Sequence, residues 1–235
     1  MPTRSQEFQA ALKKLASPAA VPGVTRFFHP DPNARSSDNK ILGVSIGKIF
    51  PVAKRFADMP LDQVELLLES PYYEVRMGAV SIMDFQARSR QLSDEGRRSL
   101  FDLYIRRHDR INNWDLVDRA APHVVGRYLA DKPRKILDKL ARSKNPWERR
   151  TAIVSTYYFI RSGEVDDTFR IAELLVRDAH ELVQKAVGSW LREAGKKDQA
   201  RLLKFLRAHS KNMPRVTLRY AVEKLAPDVR ATFLS

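Results

Sequence analysis

Apolar residues recur along this chain every three to four positions, the spacing of helices that bury one face. No run alternates apolar and polar residues in the way a half-buried strand requires. The opening MPTRSQEFQAALKKLA reads as a short amphipathic helix with Phe8, Leu12 and Leu15 on one side. Prolines cluster at 18–32 and then act as punctuation, at Pro51, Pro60, Pro71, Pro122, Pro133, Pro146, Pro214 and Pro227. Several stand where a helix begins, a position that tolerates the missing N–H.

Four of the helical segments resemble one another: 70–83 (SPYYEVRMGAVSIM), 145–159 (NPWERRTAIVSTYYF), 178–191 (DAHELVQKAVGSWL) and 211–225 (KNMPRVTLRYAVEKL). Each opens with a polar capping residue and places a small residue in its early turns, at Ala79, Ala152, Ala186 and Ala221. The last three are 34 and 35 apart, and the 73-residue gap before them is filled by NWDLVDRAAPHVV at 113–125. Such a period marks stacked helix pairs, each covering its neighbour's apolar face. The expected fold is therefore all-α, a HEAT-like solenoid of antiparallel helix pairs with a concave basic face. The expected organisation is one domain over 1–235, with N-terminal helices and a Pro-rich loop in 1–60 and about five repeats in 61–235.

Composition adds a partner. The net charge is +14 with a pI of about 10.1, and 43% hydrophobic residues suit a folded chain. The positive charge is concentrated: residues 132–161 hold nine Lys/Arg against two acids, and 185–211 hold eight against two. A polyanion is the natural counterpart of such a footprint, and nucleic acid the commonest. The absence of cysteine removes disulfides, thiol nucleophiles and thiolate metal sites, which suits a reducing compartment. No stretch reads as a secretion signal or a membrane span, so the expected location is cytoplasmic. The five histidines (29, 108, 123, 180, 209) are scattered, with no metal-ligand spacing, and no phosphate-cradling glycine pattern is present. No metal or cofactor is expected.

Four motifs in order, TRFF…ILGV (25–44), NNWDLVD (112–118), WERRTAI (147–153) and VQKAVGSWLREAGK (183–196), resemble the DNA alkylation repair family of the AlkD type. The resemblance implies a helical solenoid cradling double-stranded DNA through its backbone phosphates. It also implies a glycosylase that releases cationic alkylated purines, such as 3-methyladenine and 7-methylguanine, with the base still in the duplex. A purine alkylated at N3 or N7 is already a good leaving group, so an enzyme needs chiefly to stabilise charge developing on the sugar and to position water. One carboxylate serves both ends.

The family's aspartate and tryptophan match Asp118 and Trp114, four apart and thus on one helix face, at the edge of a stripe formed by Val117, Ala120, Ala121, Val124 and Tyr128. The competing roles are an ordinary core aromatic and an ion-pair partner for a nearby arginine. Arg150 matches the family's phosphate-holding arginine, and helical phase puts Arg161 on its side, with Val154 and Tyr157 close by. A solvated salt bridge is the alternative for Arg150 and for Arg149. In the K-A-[IV]-G-W motif this chain has Ser189 at the tryptophan's position, with Trp190 one residue late and so about 100° around the helix. Trp190 is expected in the core, and Ser189 with Lys185 and Arg192 on the DNA side. Phe27 stands where many relatives carry tyrosine, which keeps an aromatic wall and loses a hydroxyl. A non-catalytic binder of distorted or branched DNA is the rival reading, favoured by Ser189. A scaffold gripping an acidic protein is a second. The chain is expected to act as a monomer.

Overall fold

The computed structural model describes residues 1–28 and 39–234. His29 and part of the Pro-rich stretch therefore lie outside the described residues. Among those described, the chain is all-α, with no strand and one isolated backbone bridge between Lys40 and Tyr72. Contacts group it into two compact units, Met1–Tyr128 and Leu129–Ser235.

The first unit contains α1 (Arg4–Lys13), α2 (Val21–Thr25), α3 (Ile46–Arg55), α4 (Leu61–Leu68), α5 (Tyr73–Arg88), α6 (Asp94–Arg106) and α7 (Trp114–Ala121). α1 starts at a reciprocal cap: the Thr3 side chain accepts from the Gln6 N–H, and the Gln6 side chain accepts from the Thr3 N–H. Two of the helix's unpaired donors are thereby satisfied. Phe8 and Leu12 are buried, while Leu15 is only half covered. A β-carbon at Gly78 would lie 2.2 Å from the tip of the Phe8 ring, so α1 closes on α5 only because that position has none. α4 packs on α5 and on α6, and α5 packs on α7. A wide π-type turn over Pro122–Gly126 extends α7 and meets both α5 and α6.

Two buried carboxylates lock this unit. Glu74, on α5, accepts from the backbone N–H groups of Leu42, Gly43 and Val44 at 3.0, 2.9 and 3.2 Å. Gly43 takes φ +79°, a conformation that strains any side chain, and a β-carbon there would strike the Ser17 carbonyl. Asp84 is fully covered and faces three cationic or protonatable groups: Arg88 at 2.8 Å, Arg119 at 3.1 Å and His123 at 3.1 Å. The Arg119 guanidinium also lies over the Phe50 and Phe85 rings. A buried charge persists only when paired in this way.

The second unit contains α8 (Lys135–Ala141), α9 (Pro146–Ser155), α10 (Tyr157–Arg161), α11 (Asp166–Leu174), α12 (Glu181–Gly195), α13 (Gln199–His209), α14 (Arg215–Ala221) and α15 (Pro227–Leu234). Its helices form two layers. α9, α12 and α14 pack side by side in one; α8 packs on α11 in the other. α13 joins the α8–α11 layer, its Phe205 ring 5.7 Å from Phe169 of α11. At Gly188 a β-carbon would come 2.4 Å from the Thr217 carbonyl oxygen and 2.6 Å from Tyr220 Cβ, so the missing side chain sets how closely α12 and α14 approach.

The repeated alanines now have a place. Ala79, Ala152, Ala186 and Ala221 are buried on α5, α9, α12 and α14. α7 occupies the gap between the first two of these segments. The all-α, solenoid-like stacking of helix pairs is thus the one the periodicity predicts.

Candidate functional site

In the first unit the site is built on the opening turn of α7. The Trp114 indole is half-buried, and its Nε1 donates to the Phe27 carbonyl at 2.9 Å. The Asn113 amide donates to the same carbonyl at 3.3 Å and to Asp115 Oδ1 at 2.7 Å. Backbone at residue 27 is therefore tied to α7 from 87 residues away in sequence. The Phe27 ring itself is free of this tie and 57% exposed, so an aromatic face stands open beside the indole's anchor.

Asp115 is buried and accepts from the Tyr73 hydroxyl, from Asn113 and, at 2.9 Å, from the Leu116 N–H. Burial pushes its carboxyl up to about 6, with the negative charge of Asp118 adding to the rise and the three hydrogen bonds opposing it. Burial also raises the Tyr73 hydroxyl well above its ordinary value, and the Asp115 charge adds to that. Asp118 stands one turn beyond Trp114 and is half-buried. The expected stripe beside it is buried at Val117, Ala120, Ala121 and Val124, whereas Tyr128 is half-covered and stacks on Phe101 at 4.5 Å.

Beside these residues lies a cavity of about 400 Å³, lined by Gly23, Val24, Phe27, Val44, Ile46 and Tyr73 among others. Its walls are chiefly apolar. The cavity's lining carries the Phe27 and Tyr73 rings and no carboxylate, and ring faces can hold a cation. Asp115, Asn113 and Tyr73 are the members that sequence reasoning missed. Asp115 sits inside the WDLVD motif itself. Only the tertiary contact with α5, 42 residues earlier, shows that it is a buried acceptor rather than a solvated helix-start acid.

In the second unit, two expectations need correction. Arg150 and Arg161 do not share a helix side. The helix breaks at Thr156, where the Thr156 hydroxyl bonds to the Ile153 carbonyl and the Ser155 hydroxyl to the Thr151 carbonyl. Such back-bonding competes with the regular ladder and turns the chain. Arg150 is consequently 6% exposed and donates to the Leu182 carbonyl of α12, whereas Arg161 is exposed and its side chain makes no hydrogen bond or ion pair among the described residues. Trp190 is not a core residue either. It is half-buried and lies against Tyr157 with ring centres 4.9 Å apart.

Arg149 forms no solvated bridge. It grips the nearly covered Asp178 through two bonds, at 2.6 and 3.0 Å, a fork geometry suited to guanidinium. Ser189, Lys185 and Arg192 are all partly exposed on α12. Lys185 pairs with Glu181 at 2.6 Å, and Arg192 with Glu193 and Glu223. The described residues contain no group of three or more His, Cys, Asp or Glu arranged to hold a metal ion. No helix among them is long and apolar enough to cross a membrane.

Comparison with known proteins gives these residues a context. A family model described as DNA alkylation repair enzyme matches residues 8–225. No curated protein matches. Among solved structures, a predicted DNA alkylation repair enzyme from Enterococcus faecalis is similar with a TM-score of 0.67. The likeness covers 90% of this chain and 97% of that one at 14% identity, and so speaks to the fold. With the family matched over most of its length, the chain belongs to the DNA alkylation repair enzyme family, and its role lies in the repair of alkylated DNA.

Proposed function

We propose that this protein is a DNA glycosylase that hydrolyses the N-glycosyl bond of cationic alkylated purines, of the 3-methyladenine and 7-methylguanine type, in double-stranded DNA. The observation that carries the reading is the α7 face. Trp114 and Asp118 stand one turn apart, both part-exposed, with the open Phe27 ring beside the indole's anchor. In the proposed reaction the bond from the sugar C1′ to the purine nitrogen breaks, and its electron pair neutralises the departing base. Asp118 stabilises the positive charge left on the sugar and takes a proton from the water that adds to C1′. Trp114 and Phe27 present ring faces to the cationic base.

Duplex is held by backbone phosphate contacts from Arg161, Lys185, Ser189 and Arg192. Arg150 holds the first turn of α12 beneath them through Leu182. Lys185 and Arg192 exchange carboxylate partners for phosphate on binding. No metal or cofactor takes part. The protein acts as a monomer, and its lack of cysteine suits the reducing cytoplasm.

One observation favours a second reading, a non-catalytic binder of distorted or branched DNA: Ser189 offers no aromatic wall where the family's motif has tryptophan. Incubation with methylated duplex, followed by alkaline cleavage at abasic sites, separates the two. Strand breaks at methylated purines support the glycosylase. Intact strands together with tight, salt-sensitive binding support the second reading and remove the first.

A further inference from the structure

The basic run 185–211 does not lie on one side of the second unit. Lys185 and Arg192 belong to α12, in the layer with α9 and α14. Lys204 and Arg207 belong to α13, in the layer with α8 and α11, and Lys197 and Lys211 flank that helix. α13 buries Leu202, Phe205 and Leu206, and presents Lys204 and Arg207 on its opposite, exposed side beside the small side chains of Ala200 and Ala208.

The ridge itself is not neutralised. Lys197, Lys204, Arg207 and Lys211 are all exposed, and none of their side chains makes a hydrogen bond or ion pair among the described residues. From Gln199 to Val222 the chain carries six Lys/Arg and no Asp or Glu. Elsewhere in the same unit carboxylates are supplied freely: Arg134 faces Glu164 and Asp167, Arg149 faces Asp178, and Arg170 faces Asp138 and Asp167. Lys204 and Arg207 are neighbours on one helix face, where like charges repel. A row of exposed cations with no carboxylate beside it in sequence from 199 to 222, and with like charges adjacent on one helix face, fits an anion brought from outside.

We propose that the α13 ridge is a second duplex-binding surface, on the other layer from Lys185 and Arg192, which holds a separate stretch of DNA through backbone phosphates alone. A duplex offers about one negative charge per 1.7 Å of axis, dense enough to engage all four cations without a fixed register. DNA is the favoured polyanion because the family acts on it. The inference rests on that family role and on no particular reaction. Two such surfaces let one molecule hold two segments at once and pass between them.

The test uses the full chain and unmethylated DNA. A biotinylated 30-base-pair duplex on beads is saturated with protein and washed, and a fluorescent second duplex is then offered. The wild type is expected to capture the second duplex, with capture falling steeply as salt rises. The triple variant Lys204→Glu/Arg207→Glu/Lys211→Glu is expected to load on the first duplex as before and to capture at least about tenfold less of the second. Removing three phosphate contacts should also flatten the salt dependence of capture by about 2.7 in log–log slope. The neutral variant Lys204→Gln/Arg207→Gln/Lys211→Gln should fall between, and circular dichroism with sedimentation checks that fold and mass are unchanged. The proposal is overturned if the wild type captures no second duplex, or if the charge-reversed variant captures as much as wild type. It is equally overturned if the variant loses the first duplex in step with the second, or if the ridge holds vesicles containing phosphatidylserine while ignoring DNA.

Discussion

Replacing Asp115 by asparagine removes a charge that the fold holds at a cost, and the effect should depend on pH in a defined direction. Its carboxyl stands at about 6 in the folded chain against an ordinary 3.8, chiefly because it is buried. That difference corresponds to about 3 kcal/mol at roughly 1.36 kcal/mol per pH unit. The folded state binds the proton more tightly than the unfolded state. The cost is therefore absent below about pH 3.8 and fully present above about 6, so wild-type stability falls as pH rises through that window. Asparagine carries no charge to lose. Its oxygen can keep the Asn113 and Leu116 donors, while its amide meets the Tyr73 hydroxyl, a mismatch worth about 1 kcal/mol.

The variant should thus be about 1 kcal/mol less stable than wild type near pH 4 and about 2 kcal/mol more stable near pH 7, with the two curves crossing between. Urea unfolding at unit steps from pH 4 to 7 measures this, provided the slopes against urea match. A stability difference that stays constant across the range would refute the burial argument.

Other substitutions test other joints of the account. Gly188→Ala gains about 1 kcal/mol of helix propensity but drives a methyl against the Thr217 carbonyl, an overpacking cost of about 1–3 kcal/mol. Thermal unfolding should show net loss, and a stabilised variant contradicts the close approach of α12 to α14. Phe27→Ala removes an exposed ring and should change stability by no more than about 0.5 kcal/mol. Its activity on methylated duplex should drop about 2- to 30-fold, as a lost cation–ring contact of about 0.5–2 kcal/mol requires, and unchanged activity excludes the ring from the site. Arg150→Ala leaves the Leu182 carbonyl short of a donor and should cost about 1–3 kcal/mol in urea unfolding. Arg161→Ala should leave stability within about 0.5 kcal/mol and lower the salt slope of DNA binding by about 1; the reverse pattern breaks the assigned roles.

Much of the fold was legible because helices stack through small residues. Ala152, Ala186 and Ala221 recur at a near-constant spacing, and each proves to be buried on one of the side-by-side helices α9, α12 and α14. The edge position of Trp114 and Asp118 was legible for the same reason, since the neighbouring stripe on α7 defines which side is covered. Helical phase failed at Arg150 and Arg161, because extrapolating 100° per residue assumes an unbroken helix and Thr156 breaks it. It failed at Trp190 because an aromatic at the margin of a stripe can pack, tilted, against a neighbour such as Tyr157 instead of entering the core. Asp115 with Tyr73, and Glu74 with the amides of 42–44, join residues about 30 or more apart, and no local period encodes such pairs.

Catalysis by the α7 face is tested most directly by measuring free methylated purine released from methylated duplex in a single turnover, for wild type and Asp118→Asn, with DNA affinity measured alongside. The account predicts release by wild type and a fall of about a hundredfold or more in the variant, the scale of a lost general base, with affinity essentially kept. Release at the wild-type rate by Asp118→Asn, or none from wild type bound tightly to the same DNA, would contradict it.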